Sequence, residues 1–482
     1  MTNPSSTAPA ESLIAAPAPP EGRLRSITVE LSDIHALTGL LDYLVRDDLL
    51  CWTRREEGLV GFGELTRITT SGADRFEDAQ QWWRRLAANA DVEDHVQLPG
   101  TGPVAFGSFS FSRTSAWESR LIVPELIVGS HGGKGWLTQI TTDDGAKLTA
   151  EGAQAALEMV LEASTEAGAD VRAADFGDPD NSRSADGGTR DESPGTGPDD
   201  GEMAEATLQT GALSEAQWTV AVREGVKRIE AEALEKIVLA RDVVAHLPAP
   251  VDTAQVLREL AMRYRECWTY GVDGLIGSTP EMLIMVEGST ARARVLAGTL
   301  DRANAPDAGT DYAENGLTSD EKQRHEHQFA IESLTRQLEP FTSTMTAHSE
   351  PFVLELPNVW HLASDVSAEL ARRDGNLPTS LALAAALHPT AAVCGTPTGA
   401  AAALIHELED LDRGPYAGPV GWMDAAGNGE WGIALRGAVV ENPQSIRLFA
   451  GCGIVAASDP EAELAETWAK FRPMLQALGM RS

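Results

Sequence analysis

The stretch EKIVLARDV, residues 235–243, sets a lysine at the start of an apolar run. Ile237, Val238 and Leu239 have the composition of a buried strand. Side chains alternate along a strand, so Lys236 shares its face with Val238 and Ala240. Two readings fit that placement. The ammonium can snorkel from a strand edge to water. Alternatively, the lysine is desolvated and poised as a general base. The rest of the chain has to decide between them.

Outward from this strand, the same alternation recurs. EMLIMVEGSTARARVLAGT (281–299) reads as a hairpin turning at Gly288–Ser289. YAGPVGWMD (416–424), GEWGIALRGAVVE (429–441) and SIRLFAGCGIVAA (445–457) read as a three-strand meander. Helical patterns lie between them. SEAQWTVAVREGVKRIEAE (214–232) precedes the lysine strand. TSDEKQRHEHQFAIESLTRQLEPF (318–341) opens with Thr318 and Glu321 at capping-box spacing. A last helix starts after Ser458, with Pro460 and Glu461 in its first turn. Upstream, residues 24–165 mix short strands such as LVGFGE (59–64) with helices such as RFEDAQQWWRRLAANA (75–90). Long antiparallel strands without a βαβ rhythm predict an α+β fold.

Two segments do not fit a packed core. Residues 1–23 are rich in Pro, Ala and Ser and predict a disordered tail. Residues 170–205 are rich in Asp, Gly, Pro and Ser, too polar to offset their ordering entropy, and predict a disordered insertion. The expected organisation is one domain over 24–482 that carries this insertion.

Composition excludes several classes of function. The net charge of −34 repels phosphate backbones, and no basic stripe offsets it, so no nucleic-acid partner is expected. No apolar run reaches the roughly 20 residues of a membrane span. The four cysteines are far apart and form no CxxC pair, which points to a reduced, cytoplasmic setting.

Candidate chemistry sits on several elements. In the last helix Glu463, Glu466 and Lys470 share one face. They fit a solvated charged face, or a site fed by the strand carrying Gly451 and Gly453. His325 and His327 are two apart, so HEHQ (325–328) is no zinc pair. Glu326 can face inward, and a carboxylate there needs a partner. An arginine would serve. So would a hard divalent cation shared with Glu466, and Mg²⁺ takes one or two carboxylates plus substrate oxygens. Arg436, flanked by Ala434 and Ala438, leaves room for a substrate carboxylate, and equally fits an exposed strand arginine. Glu281 follows a Thr–Pro turn that could aim it into a cleft.

In order and spacing, these pieces resemble the chorismate-utilising enzymes, and within them the isochorismate-forming branch. The matching motifs are KIVLARD (236–242), GSTPEML (277–283), LAGT (296–299), SDEKQRHEHQ (319–328), WHLAS (360–364), HPTAAVCGTP (388–397), RGPYAGPVGW (413–422), ALRGAVV (434–440) and AGCGIVAASDPEAELAETWAK (450–470). They span roughly 214–480. The resemblance implies large antiparallel sheets in a two-layered sandwich flanked by helices, which the N-terminal part completes. It implies that chorismate is the substrate and that its hydroxyl moves from C4 to C2. Lys236 would be the general base on the attacking water, and Glu281 the general acid at the departing hydroxyl. Glu326 and Glu466 would hold Mg²⁺, with Glu463 and Lys470 close behind. Gly298, Thr299, Tyr416, Arg436, Gly451 and Gly453 would line the substrate site, with His388 beside it. The expected enzyme is a cytoplasmic monomer feeding menaquinone or siderophore synthesis.

Two positions depart from the family pattern. Gln323 stands where an acidic residue is frequent, and Ala391 replaces a frequent proline. QFAIESLTRQL (328–338) differs from the anthranilate-forming branch, and Ala297 from the lysine of the aminodeoxychorismate-forming one. A salicylate synthase, which eliminates pyruvate from isochorismate in the same site, is the alternative that these motifs leave open. A binding protein without catalysis would tolerate loss of Lys236 and Glu281, and both are present.

Overall fold

A computed structural model describes residues 22–31, 39–172, 206–302, 310–319, 321–346, 351–357 and 359–480. Residues 1–21 of the expected tail and 173–205 of the acidic insertion lie outside the described residues.

Apolar alternation organises the described chain into two large sheets, of thirteen and ten strands. At the heart of the first, the lysine strand (Lys236–His246) runs antiparallel to Ser445–Ile454, pairing from Ile237↔Ile454 to His246↔Ser445. Next to these come Gly437–Asn442, Leu275–Thr279, Trp268–Val272 and then Leu50–Arg54. The second sheet orders Val359–Leu370, Thr290–Asp301, Met282–Glu287, Gly429–Ile433, Pro419–Asp424 and Val104–Ser108 side by side. Each sheet thus joins strands from both ends of the chain. Pairing is antiparallel throughout, apart from Arg25–Leu31 against Asp91–Asp94.

The two sheets share one core, in which Trp52, Trp268, Ile284 and Trp431 are all buried. Indole donors tie them together. Nε1 of Trp52 and of Trp268, both on the first sheet, donate to the Glu430 carboxylate on the second at 3.0 and 3.1 Å. A buried carboxylate left without such donors would be costly.

The chain passes between the sheets several times, and at one of these seams the sequence reading needs correction. GEWGIALRGAVVE is not one strand of a meander. Gly429–Ile433 belongs to the second sheet and Gly437–Asn442 to the first. Between them Leu435 N donates to Ile433 O at 2.7 Å, and Arg436 takes a left-handed φ of 50°. Alternation continues across the break because both halves bury their faces, so periodicity alone hides the turn. A second crossing lies beside it. Leu275–Thr279 is in the first sheet, Met282–Glu287 is in the second, and Pro280–Glu281 connects them. The crossings bond to each other through Ile433 N to Glu281 O at 3.1 Å and Ser278 N to Arg436 O at 3.3 Å.

Helices cover the outer faces. Glu215–Glu230 starts on a capping box of Ser214 and Gln217. The final helix, Pro460–Ala477, is capped by Asp459, which accepts from Ala462 N at 2.9 Å. The expected helix over 318–341 is Glu321–Leu338, and Thr318 instead ends a separate helix, Thr310–Ser319. All four cysteines are buried free thiols. Among the described residues, no helix is long and apolar enough to cross a membrane.

Candidate active site

The seam opens into a cavity of about 150 Å³. Both crossings, the lysine strand, the Ser445–Ile454 strand and the final helix contribute to its wall. Lys236, Glu281, Gly298, Tyr416, Arg436, Gly451, Gly453, Glu463, Glu466 and Lys470 all line it. Residues far apart in sequence are therefore gathered around one space.

Lys236 lies flat across the glycine strand. A Cβ at Gly453 would stand 2.7 Å from Lys236 Cε and 3.2 Å from its Nζ. Only a residue without a side chain leaves room for that stem. Val238 and Ala240, on the same face, are buried. A clamp holds this strand from behind. Arg413, itself buried, donates to Val238 O at 2.7 Å and to Val393 O at 2.9 Å. Its guanidinium pairs with Glu409, which also accepts from Ala240 N at 2.7 Å.

Glu281 enters from the Pro280–Glu281 crossing and is 6% exposed. Burial pushes its carboxyl up from 4.5 to about 8, against the pull of nearby Lys236 and Lys470. It therefore holds its proton at neutral pH and can give it away.

Arg436 projects from the other crossing. Its Nη2 donates to His361 Nε2 at 2.9 Å, and His361 Nδ1 donates to Gly298 O at 3.2 Å. This pair of bonds fixes the His361 tautomer. Burial, with the positive charges of Arg436 and Lys470, drives the ring down to about 3, so it stays neutral. Gly298 is the extra residue of a bulge between Ala297 and Thr299, which turns its carbonyl toward the histidine. Tyr416 stacks on Phe449 with ring centroids 5.2 Å apart, and burial raises its hydroxyl to about 12, so it remains a donor.

The final helix supplies the negative wall. Lys470 Nζ contacts Glu466 Oε1 at 2.7 Å and donates to Gly451 O at 2.8 Å. Burial lowers the Lys470 pKa, but Glu466 outweighs it and the net direction is up. Glu463 is buried beside it. Two carboxylates on adjacent turns, both lining the cavity, are the kind of oxygen donors that a hard divalent cation takes. Among the described residues no cluster of three or more potential ligands forms. Glu326 lies on the Glu321–Leu338 helix, and its side chain, like those of Thr299 and Gln323, is outside the described residues.

His388 is linked to the cavity wall through Phe111, whose ring also meets Arg413. It does not itself line the cavity. Its Nε2 donates to Phe111 O at 2.9 Å, and the ring packs edge-on against Phe111. Burial pulls it down to about 4, so it acts as a neutral strut. Conversely, His361 and Arg413 line the cavity and were not singled out. Each sits inside a motif already quoted, WHLAS and RGPYAGPVGW, as the one basic side chain among mostly apolar and small neighbours. That is a legible sign of a buried polar group needing a partner.

Acid–base chemistry on a small anion is the class of work that this cavity suits. The chain itself belongs to the chorismate binding enzymes, whose family model matches residues 14–180 and 191–479. Isochorismate synthase DhbC of Bacillus subtilis is 40% identical over 270 residues, covering 54% of this chain and 67% of that protein. Isochorismate synthase MenF of the same organism is 29% identical over 448 residues, 89% of this chain and 87% of that one. Among solved structures, DhbC from Bacillus anthracis superposes with a TM-score of 0.67 at 28% identity, covering 92% of this chain and all of that one.

Proposed function

We propose that this chain is an isochorismate synthase, adding water at C2 of chorismate and expelling the C4 hydroxyl as the ring double bonds shift. The observation that carries this reading is Glu281, a carboxyl that keeps its proton to about pH 8, in the same cavity as Lys236. The reaction needs both a base and an acid. Lys236 takes a proton from the attacking water as its oxygen bonds to C2. Glu281 gives a proton to the C4 oxygen as that bond breaks, so it leaves as water. Atoms balance, since one water enters and one departs.

Arg436, held by His361, offers its guanidinium fork to a substrate carboxylate. Tyr416 offers a hydroxyl from the same wall. Glu463 and Glu466, with Glu326 from the Glu321–Leu338 helix, would hold Mg²⁺. When bound, the ion supplies positive charge that neutralises and orients a carboxylate of the substrate.

The atom-level test is turnover in H₂¹⁸O. Isochorismate carrying one ¹⁸O at C2 supports the reading. Product that retains only the original oxygens would mean an internal hydroxyl shift and would remove the base from the mechanism.

A further inference from the structure

Tyr270 does not line the cavity, yet it reaches the turn that carries Arg436. It is fully buried on the strand Trp268–Val272. Across three neighbouring strands, Tyr270 stands opposite Gly277, and Gly277 stands opposite Gly437. The phenol lies over both glycines. A Cβ at Gly277 would come within 2.3 Å of the Tyr270 hydroxyl oxygen, and one at Gly437 within 2.2 Å. The two glycines thus form a notch cut for this ring. At its end the hydroxyl donates to Leu435 O at 2.9 Å.

That acceptor is not a ladder carbonyl. Leu435 and Arg436 form the sheet-to-sheet crossing, where the backbone is left-handed at Arg436. An L-residue holds that conformation only where surrounding contacts over-determine it. Ser278 N bonds the carbonyl of Arg436 from one side, and Tyr270 bonds that of Leu435 from the other. Packing alone would be satisfied by phenylalanine. The hydroxyl adds a single directed bond, spent on the peptide that aims the guanidinium.

We propose that Tyr270 is a positioning residue whose hydroxyl fixes the Leu435–Arg436 turn, setting the Arg436 guanidinium for a substrate carboxylate. The proposal rests on the reading of Arg436 as the carboxylate's partner. A turn released from this bond samples other orientations, so substrate binding weakens while Glu281 keeps its own backbone bond from Ile433 N, outside the released peptide.

The test is Tyr270→Phe, alone and combined with Arg436→Lys, with KM and kcat for chorismate measured in each full-length protein. We expect Tyr270→Phe to raise KM about five- to tenfold, the scale of one lost hydrogen bond, with kcat within about twofold. Arg436→Lys should raise KM further. Adding Tyr270→Phe to it should then change KM by less than about twofold, because both act on one contact. An unchanged KM in Tyr270→Phe beside a raised one in Arg436→Lys overturns the proposal alone. So do effects that multiply in the double variant, or loss of cooperative melting in Tyr270→Phe, which would make the residue structural. An unchanged KM in Arg436→Lys overturns the carboxylate reading and the proposal with it.

Discussion

Replacing Glu281 by glutamine removes a proton site from the centre of the fold, and the effect on stability should depend on pH. In the unfolded chain this carboxyl titrates near 4.5; in the folded chain it titrates at about 8. Below the lower value both states carry the proton, and ionisation costs the fold nothing. Between the two values only the folded state holds it, so stability falls by about 1.4 kcal/mol per pH unit. At pH 7 the loss is about 3 kcal/mol, and once pH has passed the folded value it levels near 5 kcal/mol. Glutamine has nearly the same volume and no proton to lose, so it escapes this penalty. Urea denaturation of wild type and Glu281→Gln from pH 4.5 to 8.5 should give curves that diverge as pH rises, with the variant increasingly the more stable. The variant should also lose at least about 10²-fold in turnover, the scale of a general acid. The other titrating groups are common to both proteins and cancel in the difference. Parallel stability curves would refute the reasoning, since they would mean that Glu281 ionises as an ordinary surface carboxylate does.

Further outcomes follow from the same geometry. Lys236→Ala and Lys236→Gln should each lose about 10²-fold or more in turnover while chorismate still binds, as read by equilibrium dialysis. EDTA should abolish turnover and added Mg²⁺ restore it, and Glu466→Gln should cripple activity with the circular dichroism spectrum unchanged. His388→Phe should lower stability by about 1–2 kcal/mol through the lost bond to Phe111 O, with KM for chorismate unaltered. Replacing residues 176–203 by a short Gly/Ser linker should leave turnover within a few-fold, as measured on the purified variant.

Much of this was legible in the sequence, for reasons that differ residue by residue. Lys236 drew attention because a lysine rarely opens an apolar strand. Gly453, on the neighbouring strand opposite Val238, was legible as a place of close approach, although not as the seat of the lysine stem. Glu281 was legible from its Thr–Pro turn, but the turn's purpose was not. That purpose is passage between sheets, and nothing local says that the next strand belongs elsewhere. The same holds for Ala434–Arg436, where apolar alternation runs on through a left-handed turn. Pairing partners such as Leu50–Arg54 and Trp268–Val272 were beyond reach, because long-range register depends on side chains hundreds of residues apart. The bond from His388 to Phe111 O was not legible, since a motif names a residue and not the side to which its ring turns. His361 escaped because its one trace is a lone basic side chain in WHLAS, a matter of composition and not of period.

The central claim is that one cavity, with Lys236 as base and Glu281 as acid, turns chorismate into isochorismate and stops there. Incubation of the purified protein with chorismate and Mg²⁺, followed by chromatography and mass spectrometry of the products, tests it most directly. The account predicts isochorismate in equilibrium with chorismate, with neither salicylate nor pyruvate accumulating, and neither Lys236→Ala nor Glu281→Gln forming product at a comparable rate. Salicylate and pyruvate released in equal amounts, or chorismate left unchanged by the wild type, would contradict it.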